Sequence, residues 1–213
     1  MGKVETIAKL KEGKLMSIFR VDYPEKIEPV IEALILGGMT AVEITMNSRD
    51  PFNTFAKIAK KYSKDIILGM GTVLDSETAR LAILEGAQVI ISPIYSPDLI
   101  QMAHRYNVPV LVGAFSPTEI VQAAGAGADM VKIFPASVLG MDYIKTIKMT
   151  FPAIDIFASG GIAVEDAGAW INSGAAVIDL GRSVVSNQLI ETDNYKEITE
   201  RVKKALKAIK EIE

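Results

Sequence analysis

The chain has 213 residues, a formal net charge of −3 and 49% hydrophobic residues, which suits one substantial α/β domain and excludes a global basic field for nucleic acid. It contains no cysteine, so disulfides and thiolate metal sites are excluded, and its single histidine, His104, leaves no histidine cluster for zinc or iron. The N-terminal stretch lacks the apolar core of a signal peptide, and no apolar run reaches transmembrane length. We therefore expect a cytoplasmic protein with no nucleic-acid or membrane partner.

Short apolar runs alternate with longer amphipathic runs along the chain. Strands are predicted over Leu15–Arg20, Ala41–Thr45, Ile66–Gly69, Val89–Ser92, Val110–Val112, Met130–Ile133, Ile154–Phe157 and Val177–Leu180. Helices are predicted over Val4–Lys11, Glu25–Leu36, Pro51–Tyr62, Ser76–Leu84, Pro97–Tyr106, Thr118–Ala124, Asp142–Met149, Glu165–Ile171 and Tyr195–Ile212. The predicted strands are almost continuously apolar, as in a parallel sheet buried on both faces. Strict strand–helix alternation with eight strands predicts a (β/α)8 TIM barrel with an extra N-terminal helix, forming a single domain over residues 1–213.

A glycine-led repeat supports this architecture. The same short segment, a glycine followed by two small or polar residues, comes before the second, fourth, sixth and eighth predicted strands. The glycines are Gly38, Gly86, Gly127 and Gly174. Glycine suits the left-handed position that ends a helix before the chain enters the sheet. Each interval between these glycines, 41 to 48 residues, holds two βα units of ordinary size.

Lys132 interrupts the apolar run Met130–Ile133. A buried ammonium is costly to desolvate, and losing its proton relieves that cost. A neutral lysine amine is a nucleophile that attacks ketones to form a Schiff base. The plainer alternative is a lysine at a strand end, reaching water or paired with a carboxylate.

Glu43 is the second polar residue inside an apolar strand. Beside a lysine, such an acid is either a structural ion-pair partner or a general acid/base that moves protons for Schiff-base chemistry. Because both side chains can face the mouth of one barrel, the two residues together favour a catalytic role.

Polar and glycine-rich segments follow several predicted strands, at the end where barrel enzymes carry their chemistry. Arg20 ends the first strand, Thr72 follows the third and Pro93 the fourth. Ser159-Gly160-Gly161 and Gly181-Arg182-Ser183 follow the last two strands. Glycine turns at this place let backbone N–H groups approach an anion closely, so they predict a phosphate site. Tight βα turns without a ligand are the alternative, and Arg182 either pairs with the phosphate or points outward.

Taken in order, these motifs resemble those of the 2-keto-3-deoxy-6-phosphogluconate (KDPG) and 4-hydroxy-2-oxoglutarate (KHG) aldolases. The resemblance runs from the first strand to the eighth. The motifs are Ile18-Phe19-Arg20, Val42-Glu43-Ile44-Thr45, Gly69-Met70-Gly71-Thr72-Val73, Ile91-Ser92-Pro93, Val131-Lys132-Ile133-Phe134-Pro135-Ala136, Ser159-Gly160-Gly161-Ile162 and Gly181-Arg182-Ser183.

The resemblance implies a class I lyase without metal or cofactor. Such an enzyme cleaves a phosphorylated 2-keto-3-deoxy sugar acid to pyruvate and glyceraldehyde 3-phosphate, or 4-hydroxy-2-oxoglutarate to pyruvate and glyoxylate. It implies Lys132 as the Schiff-base lysine and Glu43 as the acid/base. Thr72, Pro93 and Phe134 would then border the substrate, with Ser159 beside them, and Gly160, Gly161, Gly181 and Ser183 would hold the phosphate. It also implies a homotrimer.

The chain departs from the family pattern after the second strand. Many family members have an arginine for the substrate carboxylate two residues beyond the strand-two threonine, where this chain has Asn47. The pair Asn47-Ser48 looks more like the 2-keto-3-deoxy-6-phosphogalactonate branch, whose substrate differs in configuration at C4. Arg20 is then the better carboxylate candidate, with Arg49 an alternative if its loop bends suitably. Ser159 and Arg182 are further departures.

Two other functions are compatible with parts of the pattern. A phosphate-binding isomerase or epimerase that forms no imine would explain the glycine turns, but it needs a carboxylate pair or a metal site. A non-catalytic barrel scaffold is the third hypothesis, and the intact Lys132 and Glu43 motifs count against it.

Overall fold

Residues 2–212, which the computed structural model describes, form a closed barrel of eight parallel strands with helices outside, and the predicted fold class is confirmed. The strands are β1 Leu15–Phe19, β2 Ala41–Thr45, β3 Ile67–Gly71, β4 Val89–Ile91, β5 Val110–Ala114, β6 Met130–Ile133, β7 Ile156–Ser159 and β8 Val177–Leu180. The helices are α1 Lys3–Gly13, α2 Ile27–Gly37, α3 Pro51–Tyr62, α4 Ser76–Leu84, α5 Pro97–Arg105, α6 Pro117–Gly125, α7 Ala136–Leu139, α8 Met141–Thr150, α9 Ala167–Asn172, α10 Asn187–Glu191 and α11 Tyr195–Lys210. Short 3-10 helices at Pro24–Lys26 and Val164–Asp166 precede α2 and α9.

Three strand predictions ended too early. β3 continues to Gly71, β5 continues to Ala114 and β7 continues to Ser159. Glycine and serine interrupt an apolar pattern and so resemble strand ends, but here these small residues occupy inward positions near the mouth of the barrel. The short helices α7 and α10 were not predicted from the sequence, since four and five residues are too few to show a periodic pattern.

The glycine repeat takes the predicted backbone conformation. Gly38, Gly86, Gly127 and Gly174 have φ between 95° and 107°, a region that side-chain-bearing residues rarely adopt. Each therefore ends a helix and turns the chain into an even-numbered strand.

The closing helix packs with its apolar face against the barrel. Ile198, Val202 and Ile209 of α11 are buried, and the Thr199 hydroxyl donates to the carbonyl of Ala33 on α2 over 2.9 Å. No helix among residues 2–212 is long and apolar enough to cross a membrane.

The barrel interior is built in layers of four side chains from alternate strands, as in other barrels of this kind. The strand registers and the inward–outward alternation assign each layer. At the N-terminal end, Leu10 of α1 packs into the interior against apolar side chains such as Met16 and Phe157. This end is therefore a closed apolar floor, and the functional groups lie above it.

Candidate functional site

The layer above the apolar floor contains Lys132 and Glu43. Lys132 projects inward from β6 and Glu43 from β2, on opposite sides of the barrel, and the two are 2% and 0% exposed. Lys132 Nζ lies 3.4 Å from Glu43 Oε2 and 3.5 Å from Oε1. The structure therefore brings the two polar strand residues singled out in the sequence into direct contact.

Asp179 on β8 belongs to the same layer, whose fourth member is Ile91 on β4. Its carboxyl is 1% exposed and accepts a 2.8 Å hydrogen bond from the Ser159 hydroxyl through Oδ2. Asp179 was missed in the sequence, although an acid within Val177–Leu180 is the same signal that identified Glu43. Three of the four side chains in this layer are ionisable, whereas such barrel layers are usually filled by branched apolar residues.

Burial sets the protonation of the two acids. Burial raises the pKa of the Glu43 carboxyl above its usual value, and the charge and hydrogen bonds of Lys132 partly offset that rise. Burial and then the negative charge of Glu43 raise the pKa of Asp179 well above its usual value, with Lys132 and Ser159 acting in the opposite direction. A buried carboxyl with a raised pKa, in contact with an amine, suits proton transfer between the two groups.

Small residues open the space above Lys132 and Glu43. The next inward positions toward the mouth on the odd strands are Ile18, Gly71, Gly113 and Ser159. A Cβ atom at Gly71 would lie 1.8 Å from Glu43 Oε1, and one at Gly113 would lie 1.9 Å from the Pro93 carbonyl oxygen. The Glu43 carboxylate can therefore lie where it does only because residue 71 is glycine.

Aromatic rings flank the lysine. The centroid of the Phe157 ring, in the floor, lies 5.5 Å from Lys132 Nζ, and that of Phe134, at the mouth, lies 5.7 Å from it. Phe134 is 39% exposed, so its ring forms part of the rim. Thr45, Pro93 and Gly181 occupy the corresponding inward positions at the ends of the other even strands. The amine therefore lies between two rings, below a rim of mostly uncharged groups.

The glycine turn after β7 is shaped by close contacts. Gly160 and Gly161 have φ of 96° and 78°. A Cβ atom at Gly161 would lie 2.1 Å from Ser137 Oγ, and the Ser137 backbone N–H donates to the Gly160 carbonyl over 3.0 Å. Ser137, at the start of α7, was not identified in the sequence because α7 itself was not. Only glycine fits at position 161 without displacing Ser137.

The turn after β8 lies beside it. The Ser183 hydroxyl donates to the Ile162 carbonyl over 2.9 Å, which ties the turn after β8 to the segment after β7. Arg182 is exposed. The two glycine turns are thus neighbours, as the phosphate hypothesis requires. In this structure the Ser183 hydroxyl is bonded to the protein backbone.

The candidates for a substrate carboxylate lie around the rim. Arg20 follows β1 and pairs with Asp22 over 2.8 Å, so its guanidinium already has a carboxylate partner. Asn47 and Arg49 are exposed in the loop after β2, and Ser48 is buried and accepts a 2.8 Å hydrogen bond from the backbone N–H of Val21. Thr72 has a φ of 56°, which is unusual for a threonine, just beyond β3.

Comparisons with known proteins agree with this geometry. Residues 6–201 match the family model of the KDPG and KHG aldolases. The chain is 37% identical over 175 residues to the probable 2-dehydro-3-deoxy-6-phosphogalactonate aldolase of Rhizobium meliloti, covering 81% of this chain and 82% of that one. It is 27% identical over 207 residues to the 2-dehydro-3-deoxy-phosphogluconate aldolase of Haemophilus influenzae, covering 97% of each. A solved structure described as native KDPGal superposes with a TM-score of 0.86 at 32% identity, covering 93% of this chain and 95% of that one. The chain belongs to the KDPG and KHG aldolase family.

Proposed function

We propose that the protein is a class I aldolase in which Lys132 forms a Schiff base with the keto carbon of its substrate. The observation that carries this proposal is the buried contact of 3.4 Å between Lys132 Nζ and Glu43 under a glycine-lined opening. Glu43 accepts a proton from the lysine, and the freed amine attacks the C2 carbonyl of the substrate. Loss of water from the resulting carbinolamine leaves the iminium.

The iminium then acts as an electron sink for carbon–carbon cleavage. When a base removes the proton of the C4 hydroxyl, the C3–C4 bond breaks, its electrons move into the iminium as an enamine, and an aldehyde leaves. Protonation of the enamine at C3 and hydrolysis release pyruvate and return Lys132. Glu43, whose carboxyl pKa is raised by burial, is the group that holds the proton in these steps, acting directly or through a water molecule.

The proposed substrate is 2-keto-3-deoxy-6-phosphogluconate, and 4-hydroxy-2-oxoglutarate is proposed as a second one. The phosphate of the sugar acid would bind the turns at Gly160-Gly161 and Gly181-Arg182-Ser183. Pyruvate would occupy the space among Thr72, Pro93 and Phe134, with Ser159 at its edge. Support comes from the neighbouring glycine turns and from the family to which the chain belongs.

The galactonate-derived isomer is the second candidate substrate. It is favoured by Asn47 in the loop after β2 and by the 37% identity to the phosphogalactonate enzyme of Rhizobium meliloti. We propose that Arg20 binds the substrate carboxylate, for which it would have to release Asp22. Asn47 and Arg49 are the other candidates near the rim.

Asp179 meets one requirement of the isomerase hypothesis, because Glu43 and Asp179 together supply the pair of carboxyls that such an enzyme needs. Family membership and the lysine between these acids favour aldol cleavage. An isomerase would release no pyruvate, so the assay below separates the two.

We further propose that the protein acts as a cytoplasmic homotrimer. Exposed apolar side chains concentrate on three consecutive βα units, which is the kind of surface that subunit contacts cover. They are Leu74, Leu81, Leu84, Ile94, Phe115 and Val121. Light scattering on the protein as it elutes from a size-exclusion column should give three times the mass of one chain. The mass of a single chain would contradict the trimer.

A substrate panel tests the proposed reaction. Pyruvate release from the gluconate-derived, galactonate-derived and hydroxy-oxoglutarate substrates is followed by coupling to lactate dehydrogenase and NADH. We expect the highest kcat/KM on a phosphorylated substrate. Turnover of none of the three would contradict the proposed function, and preference for the galactonate-derived isomer would replace the first substrate by the second.

A further inference from the structure

Asp179 is the ionisable group of the site for which the proposed reaction has no role. It faces inward from β8 in the layer that holds Lys132 and Glu43, and it is 1% exposed. Its neighbours on β1 and β7, Met16 and Ser159, carry no charge. Glu43 and Lys132 are thus the charged groups that act on it, and both belong to the reaction.

The contacts of Asp179 favour its neutral form. Ser159 donates to Oδ2 over 2.8 Å, whereas Oδ1 is buried and has no hydrogen-bond partner among residues 2–212. An ionised carboxylate with one buried oxygen unpaired is strongly disfavoured, and protonation relieves most of that cost. The raised pKa of Asp179 agrees with this geometry.

The charge on Asp179 sets the net charge of the layer that holds Lys132 and Glu43. With Asp179 neutral, the layer carries no net charge either as the Lys132–Glu43 ion pair or after the proton has moved from Nζ to the Glu43 carboxylate. With Asp179 ionised, a second negative charge lies near the positive Nζ and opposes transfer of its proton to the Glu43 carboxylate.

We propose that Asp179 is a positioning residue for imine formation, which acts as a neutral acid and leaves Glu43 as the single anionic partner of Lys132. This inference rests on the proposed Schiff-base function. In the step concerned, Glu43 takes the proton from Nζ, the nitrogen lone pair forms the bond to C2 of pyruvate, and the carbonyl oxygen is protonated to give the carbinolamine. Ionisation of Asp179 slows this step.

The test is the rate at which borohydride traps the pyruvate imine, measured from pH 6 to pH 10 in the wild type and in Asp179→Asn. Asparagine has nearly the same shape and cannot ionise. We expect the two rates to agree within about threefold at pH 7 and Asp179→Asn to be faster by threefold or more at the alkaline end. Asp98→Asn, an exposed position on α5, serves as the control and should follow the wild type throughout.

Superimposable profiles of Asp179→Asn and wild type would overturn the inference while leaving the aldolase proposal intact. Loss of trapping by more than thirtyfold at pH 7 in folded Asp179→Asn would also overturn it, since the carboxyl would then act in the chemistry itself. Absence of trapping in the wild type would instead refute the proposed function. If Asp179→Asn does not fold, carbon-13 NMR of aspartate-labelled wild type decides: a protonated aspartate carboxyl at pH 7 supports the proposal, and its absence overturns it.

Discussion

Gly71→Ala tests whether the place of the Glu43 carboxylate is set by the missing side chain on β3. The added methyl carbon would lie 1.8 Å from Oε1, 2.3 Å from Cδ and 2.5 Å from Cγ of Glu43. Glu43 is fully buried, and the opposing Lys132 lies 3.4 Å away, so the carboxylate has little free space into which to retreat. The substitution must therefore displace the proposed acid/base.

The magnitude follows from that overlap. Ordinary contact requires about 3.5 Å, so the nearest carboxylate oxygen must move by roughly 1.7 Å. A misplacement of about 1 Å at a reacting group costs on the order of 100-fold in rate. We expect kcat to fall by that factor or more. Overpacking of the barrel interior should also lower the free energy of unfolding by about 1–3 kcal/mol.

Two matched variants separate displacement of Glu43 from general overpacking. Gly69→Ala, at the inward position below on the same strand, would bring its methyl within 2.7 Å of Val89 Cγ1 and 2.9 Å of Ile91 Cδ1 without meeting Glu43. Gly125→Ala, at the end of α6, meets nothing within 4 Å. Urea unfolding should show a loss for Gly69→Ala like that for Gly71→Ala and none for Gly125→Ala. In the pyruvate-release assay, only Gly71→Ala should lose about 100-fold in kcat. Wild-type kcat in a folded Gly71→Ala protein would refute the reasoning.

Three further predictions concern the acid/base, the phosphate turn and an exposed ion pair. Glu43→Gln should lower kcat by at least about 100-fold because glutamine takes up no proton, yet prolonged incubation with pyruvate and borohydride should still label the protein; full turnover would remove Glu43 from the mechanism. Gly161→Ala, whose methyl would lie 2.1 Å from Ser137 Oγ at a φ of 78°, should raise KM for phosphorylated substrates about tenfold or more and leave KM for the unphosphorylated 4-hydroxy-2-oxoglutarate unchanged. Equal effects on both substrates would place the phosphate elsewhere. Hydrogen bonds from Lys57 and Lys61 lower the pKa of Glu28 to about 2 from an ordinary 4.5, so its small stabilising effect is present above pH 4.5 and is lost as the pH falls toward 2. Glu28→Gln should thus slightly lower the midpoint of urea unfolding at pH 6 and have no effect on it near pH 2. The effect at pH 6 should be smaller in high salt. An equal effect at both pH values would contradict a stabilising role of the Glu28 ion pairs.

Local patterns made most of the fold predictable. The closed barrel follows from eight apolar runs separated by amphipathic ones, and the four helix-ending glycines follow from the need for a left-handed residue. Strand ends near the mouth were harder to predict, because Gly71 and Ser159 are small where the site needs room. Small residues at such positions look like loop in an apolar pattern.

The site was partly predictable for a different reason. Lys132 and Glu43 are conspicuous because each is charged within an apolar strand, and their contact then follows from the barrel topology. Asp179 has the same signature, an acid within an apolar strand, but it was not predicted. The pairing of Arg20 with Asp22 depends on rotamers, which no sequence pattern specifies.

The central claim is that the Lys132 amine is the nucleophile. Incubation of the protein with pyruvate and borohydride, followed by peptide mass mapping, measures this directly. The account predicts one reduced pyruvate adduct per chain, carried by Lys132 and absent from Lys132→Met. An adduct on another lysine, or no adduct in protein that still releases pyruvate from a sugar acid, would contradict it.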